Sequence, residues 1–153
     1  MHDGQPVRAA GLLVYVSDMD RVHVLFRHAK GKITDIGGKT DAEDTCVEDT
    51  VIREVWEETN GNLYGEMPPN KFARILHAQL RHHSTRRIYN AKSKYLLFLV
   101  RESPAFLGLP MQRFGRREHH DGMKHYYRWL GQDEIRKRQV HFRLRLIQHR
   151  LVF

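Results

Sequence analysis

The chain has 153 residues, 41% of them hydrophobic, and 26 Lys and Arg against 18 Asp and Glu, for a formal charge of +8. That length and apolar content fit one domain over residues 1–153 with a sizeable core and exclude a disordered chain. The single cysteine, Cys46, excludes an internal disulfide framework and a multi-cysteine zinc site. The longest apolar run, about Tyr95 to Val100, is far too short to cross a bilayer, and Met1 opens no signal-peptide pattern. A reducing, cytoplasmic setting is expected, with the nucleus left open. The positive field favours anionic partners: phosphates, nucleic acid or an acidic surface.

In chain order, Gly11 to Val16 reads as a buried strand, Asp18 to Asp20 as a turn and Val22 to Phe26 as the returning strand. Lys30 to Asp35 read as loop, and Gly37-Gly38 as sharp punctuation. A helix is predicted from Cys46 to about Thr59, then a turn-rich loop from Gly61 to Asn70. Phe72 to Leu80 and Lys94 to Arg101 read as strands joined by a basic connection. Glu102 to Lys124 is a long loop, a size that is often functional, and His125 to Leu130 is a short strand. From Gln132 onward one or two helices are expected, the last an amphipathic docking helix from Phe142. The order β-β-α-β-β-β-α predicts an α/β fold, a mixed sheet with helices on both faces.

The segment Gly37 to Gly61, GGKTDAEDTCVEDTVIREVWEETNG, carries the chemistry. Thr45 and Glu48 match a capping box at the helix start, and Asn60 or Gly61 suits the left-handed residue that ends it. At 100° per residue, Val47, Val51, Ile52 and Val55 fall on one sector, with Trp56 at its margin. Glu54, Glu57 and Glu58 fall beside it within an arc of about 100°. Three carboxylates this close repel one another, unless a divalent cation neutralises them. A solvated acidic face is the alternative reading. The glycine pair ahead of the helix and Arg53 beside Glu54 count against it.

Arg53-Glu54-Val55-Trp56-Glu57-Glu58 resembles the core R-E-U-x-E-E of the Nudix signature, with Gly38 at its opening glycine. Three positions depart from the pattern. Asp44 stands where a Glu is usual, eight residues rather than seven separate it from Arg53, and Asn60 occupies the terminal glycine position unless Gly61 fills it. The resemblance implies a Nudix-type α/β/α sandwich and a pyrophosphohydrolase. It implies that Glu54, Glu57 and Glu58, with backbone near Gly38, hold Mg²⁺ or Mn²⁺, which would bridge a diphosphate and activate a water. Arg53 would orient carboxylates, its partner being Glu43, Asp44 or Glu48. The general base would be a Glu of this helix or an acid of a late loop, for which Glu118 is the candidate.

Two basic clusters, Arg81 to Arg87 and Arg113 to His120, stand as phosphate contacts or as plain solvent-facing charge. Arg86, Arg87, Arg116 and Arg117 are the substrate-binding candidates. The expected function is metal-dependent cleavage of a diphosphate in a nucleoside-diphosphate-linked substrate, with capped RNA suggested by the charge. Small nucleotides or diphosphoinositol polyphosphates are the alternative substrates, and a non-catalytic nucleotide- or RNA-binding regulator is the alternative class. No membrane or obligate protein partner is expected.

Overall fold

A computed structural model describes residues 1–114, 125–145, 147–151 and 153. Its described strands are β1 Ala9–Asp18, β2 Arg21–Ala29, β3 Lys32–Thr34, β4 Ile36–Lys39, β5 Arg86–Asn90, β6 Tyr95–Arg101 and β7 His125–Gly131. Its helices are α1 Val47–Glu58, α2 Pro69–Leu80, α3 Gln132–Lys137 and α4 Phe142–Arg145. The strands form one mixed sheet in the order β3-β2-β1-β6-β5, with β4 on β1 and β7 on β2. β1 and β6 run parallel, and the other pairs are antiparallel. The α/β class with helices on both faces is as expected.

Two parallel layers of core follow from strand alternation. Leu12, Val14, Leu25, Ile36 and Phe98 face α1 and α2, which contribute Val51, Val55, Phe72, Leu76 and Leu80. Leu13, Val24, Phe26, Leu97 and Leu99 face the opposite way and are covered by Ile135, Leu144, Ile147 and Leu151. Each such fully buried aliphatic side chain stabilises the fold by roughly 1.5–3 kcal/mol before entropy is counted.

The sheet splits in the middle. β1 pairs with β2 over Val14 to Asp18, but with β4 over Ala9 to Leu12. β2 leaves β1 at Leu25 and continues between β3 and β7. The two strands therefore part where the C-terminal end of α1 lies against them.

Several expectations are corrected. Residues 72–80 are helical, not a strand: Phe72, Leu76 and Leu80 are buried at spacings of four, and Pro69 supplies the fixed φ of a first helical turn. The basic connection holds an edge strand, β5, whose outer Arg86 and Arg87 mask its pattern. The expected loop at 30–35 contains β3, and Gly37-Gly38 lie inside β4 rather than at a turn. The residues from Phe142 form short α4 and a 3₁₀ turn at Gln148–Arg150 rather than one docking helix.

Candidate active site

α1 starts one residue later than its capping box predicts. Cys46 is the N-cap and makes no side-chain cap bond. Asp49 caps the turn instead, its carboxylate accepting from the Thr45 N–H at 3.0 Å and the Thr45 hydroxyl at 2.6 Å. At the other end both Asn60 and Gly61 are left-handed, with φ of 51° and 69°. Gly61 also lies against the Trp56 ring, where a Cβ has no room. Both positions open at the sequence level thus carry the turn.

α1 runs unbroken from Val47 to Glu58, with the loop from Thr40 to Cys46 ahead of it. Arg53 still finds an acid, and it is Asp44: Nε to Oδ1 is 3.3 Å and Nη2 to Oδ2 is 2.9 Å. Thr50 Oγ1 and the Asp41 N–H add bonds of 2.8 Å each to the same Oδ2. These donors, the Arg53 fork foremost, hold the Asp44 carboxyl down at about pKa 2. Arg53 further donates to the Lys39 carbonyl at 2.9 Å and to Glu54 Oε1 at 3.0 Å. One guanidinium therefore ties β4, the loop and α1 together. Glu48 is taken by Arg87 at 3.7 Å instead.

Glu54 fills the space that Gly38 leaves empty. A Cβ at Gly38 would overlap the Glu54 carboxylate, which gives the signature glycine its physical reason. Burial raises the Glu54 pKa, against the opposing pull of Arg53.

Glu58 is 4% exposed. Its Oε1 accepts from Arg27 Nη1 at 3.2 Å and its Oε2 from the Gly37 N–H at 3.2 Å. Arg27 belongs to β2 and Gly37 to β4, so the Glu58 carboxylate bridges the strands where the sheet splits. Tyr127 on β7 donates to the Glu58 carbonyl at 2.5 Å. Arg27 was not a sequence candidate; its one signal was a charged residue at an alternate position of a buried strand.

Below β4 lies a buried network that the sequence reading also missed. Asp35 accepts from Thr34 Oγ1 at 2.9 Å, from Arg143 Nε at 2.9 Å and from the Tyr95 hydroxyl. Arg143 lies over the Tyr95 ring at 4.9 Å and reaches the carbonyls of Asp35 and Gly37 at 3.3 and 3.4 Å. Gly11 and Gly37 make room for it, since a Cβ on either would overlap the Tyr95 hydroxyl. Burial pushes the Tyr95 hydroxyl well above its ordinary pKa, so it stays a donor. Arg143 thus links the C-terminal layer to the strand beside Glu58.

The donors fit a hard divalent cation in type. Glu54 and Glu57 are partly exposed carboxylates on one side of α1, and Gly38 brings backbone against Glu54. Glu58 adds a third carboxylate of the type such an ion takes. Among the described residues no three acids or histidines converge to hold an ion. Glu118, Arg116 and Arg117 lie outside the described residues. Phe114 and Tyr127, on either side of them in sequence, do meet the end of α1: the Phe114 carbonyl accepts from Asn60 Nδ2 at 2.9 Å, and the rings of Phe114 and Tyr127 pack at 5.0 Å.

Arg86 and Arg87 are not brought together. Successive strand residues point to opposite faces. Arg87 lies over Phe98 at 5.2 Å and pairs with Glu48 in the first turn of α1, at the far end of the helix from Glu58.

The chain matches the NUDIX domain family over residues 5–149. It belongs to that family. The match bears out the resemblance carried by Gly38 and Arg53 to Glu58, and with it the enzyme class, a Nudix-type pyrophosphohydrolase. Hydrolases of this family generally use divalent metal ions. No curated protein sequence matches the chain. Solved structures share its fold at low identity. An Ap4A hydrolase from C. elegans is 18% identical with a TM-score of 0.52, covering 94% of this chain and 93% of that one. A NUDIX hydrolase from Listeria monocytogenes is 12% identical with a TM-score of 0.53, over 96% and 92%. NrtR from Shewanella oneidensis is 17% identical with a TM-score of 0.52, over 93% of this chain and 61% of that one.

Proposed function

We propose that this Nudix domain cleaves the diphosphate of a nucleoside-diphosphate-linked substrate at the C-terminal half of α1, with Mg²⁺ or Mn²⁺ as its cofactor. The observation that carries the proposal is the arrangement of the three carboxylates. Glu58 is locked between β2 and β4 and Glu54 is pressed against Gly38, with Glu57 on the same helix. Held this way, the acids keep a fixed geometry without first collapsing onto one another. A divalent cation held there supplies Lewis acidity, neutralising the diphosphate and acidifying a water.

Arg53 is a positioning residue in this reading. Its bonds to Asp44 and the Lys39 carbonyl fix Glu54, and its charge tempers the repulsion among the acids. Arg27 does the same for Glu58. Glu118 is the general-base candidate, with Glu57 and Glu58 as the helix alternatives. Arg116 and Arg117 stay candidates for the substrate's phosphates from the sequence. Arg87 is a poorer substrate contact than its sequence position suggests, because Glu48 already engages it.

For the substrate, a small dinucleotide or nucleotide diphosphate agrees with the fold relative that is an Ap4A hydrolase. The charge of +8 favours a longer polyanion, and capped RNA is the second reading. The deciding experiment follows product release from Ap4A, ADP-ribose, nucleoside triphosphates, a diphosphoinositol polyphosphate and capped RNA, with Mg²⁺, Mn²⁺ or EDTA. Turnover of a nucleotide diphosphate that EDTA abolishes is expected. Binding without turnover of any of them would replace the hydrolase with a regulatory binding module.

A further inference from the structure

On the layer opposite α1, two adjoining hollows share Arg145. One, of about 320 Å³, is lined by Asn90, Lys92, Ser93, Phe142 and Arg145. The other, of about 400 Å³, is lined by Arg136, Arg145, Gln148 and His149. Among the described residues no carboxylate lines either one. Lys92, Arg136 and Arg145 are exposed, and none forms an ion pair among the described residues.

The floor is stiff while the rim is free. Asn90 donates to the Arg143 carbonyl at 3.0 Å and accepts from the backbone N–H groups of Lys92 and Ser93 at 3.1 and 3.4 Å. Gln148 Nε2 donates to the carbonyls of Ile135 and Arg138 at 2.7 and 3.4 Å. The Ser93 Oγ is buried and has no hydrogen-bond partner. Phe142 is 63% exposed, one of few large apolar side chains left in solvent among the described residues.

Three cations, an exposed ring and an unpartnered hydroxyl thus line the two hollows. We propose that this groove binds a single-stranded polynucleotide, with Lys92, Arg136 and Arg145 on its phosphates and a base stacked on Phe142. An acidic peptide would satisfy the cations and leave the ring unused. A bilayer would need a wider apolar patch than one phenyl group. Stacking on an aromatic side chain within a basic groove is the way proteins hold single strands without reading their sequence. The proposal does not depend on the hydrolytic site, whose carboxylates lie across the sheet.

The test uses a fluorescent decauridylate carrying a plain 5′ hydroxyl, so that no diphosphate can engage α1, with EDTA present. Anisotropy is measured with the full chain from 50 to 200 mM KCl. A K92Q/R136Q/R145Q variant is expected to bind at least tenfold more weakly and to lose about 2 from the slope of log K against log salt. F142A is expected to lose several-fold affinity with the slope unchanged. Thermal melts of both variants should match wild type, since every altered side chain is exposed. Wild-type affinity in the triple variant would overturn the proposal. So would loss of binding confined to R86Q/R87Q, or displacement of the strand by equimolar tripolyphosphate, which would mark a compact-anion site.

Discussion

Arg53 closes a two-bond fork on Asp44 across nine residues, at 3.3 and 2.9 Å, although an inserted residue lies between them. α1 runs unbroken from Val47 to Glu58 and carries Arg53 to this contact. The carboxyl of Asp44 therefore titrates near pKa 2 rather than at its ordinary 3.8. A folded-state pKa below the unfolded one adds stability that is complete above about pH 4 and disappears as pH falls through 2. That difference amounts to about 2 kcal/mol. Asp44→Asn should lower stability at pH 7 by about that amount. It should also flatten the loss of stability between pH 4 and 2 in urea unfolding curves.

Glu57→Gln and Glu58→Gln should both lower kcat by orders of magnitude, but only the second should weaken the fold. Glu57 is partly exposed, whereas Glu58 neutralises the buried Arg27. Removing the carboxylate from this buried pair costs about 3 kcal/mol, or roughly 10 °C in Tm for a chain of this size. Circular dichroism melts alongside single-turnover rates separate the two effects. Equal Tm values would show that Arg27 does not rely on Glu58.

Two glycines of the motif should respond differently to alanine. Gly38→Ala places a methyl group in the Glu54 carboxylate and should cost about 100-fold in kcat with a modest change in stability. Gly61→Ala combines a φ of 69° with contact against Trp56, and should cost roughly 2–3 kcal/mol of stability with kcat nearly kept. Reversal of this pattern would place the catalytic geometry at the C-cap instead of β4.

The Asp35 network should behave as one unit. Tyr95→Phe removes one donor from a buried carboxylate and should cost about 1–3 kcal/mol. Arg143→Met strips the balancing charge and should cost about 3–5 kcal/mol. The double variant should fall short of the sum, because both singles damage the same Asp35. Urea titrations of the four proteins complete the cycle, and strict additivity would mean that the contacts act independently.

The motif helix was legible from the residues alone, because its information is local. The 3.6-residue repeat of Val47, Val51 and Val55, the arc of Glu54, Glu57 and Glu58, and the left-handed stop at Asn60-Gly61 depend on backbone geometry within a few turns. So do the hairpin of β1 and β2 and the strand at Tyr95 to Arg101. α2 was misread as a strand although its signal is also local: Phe72, Leu76 and Leu80 recur at spacings of four and Pro69 suits a first helical turn. The partners of the site were beyond local reach. Arg27 meets Glu58 across 31 residues, and Arg143 meets Asp35 across 108. No periodicity encodes such pairs: a buried charge takes whichever opposite charge the fold delivers, and the splitting of the sheet between β2 and β4 delivered Arg27.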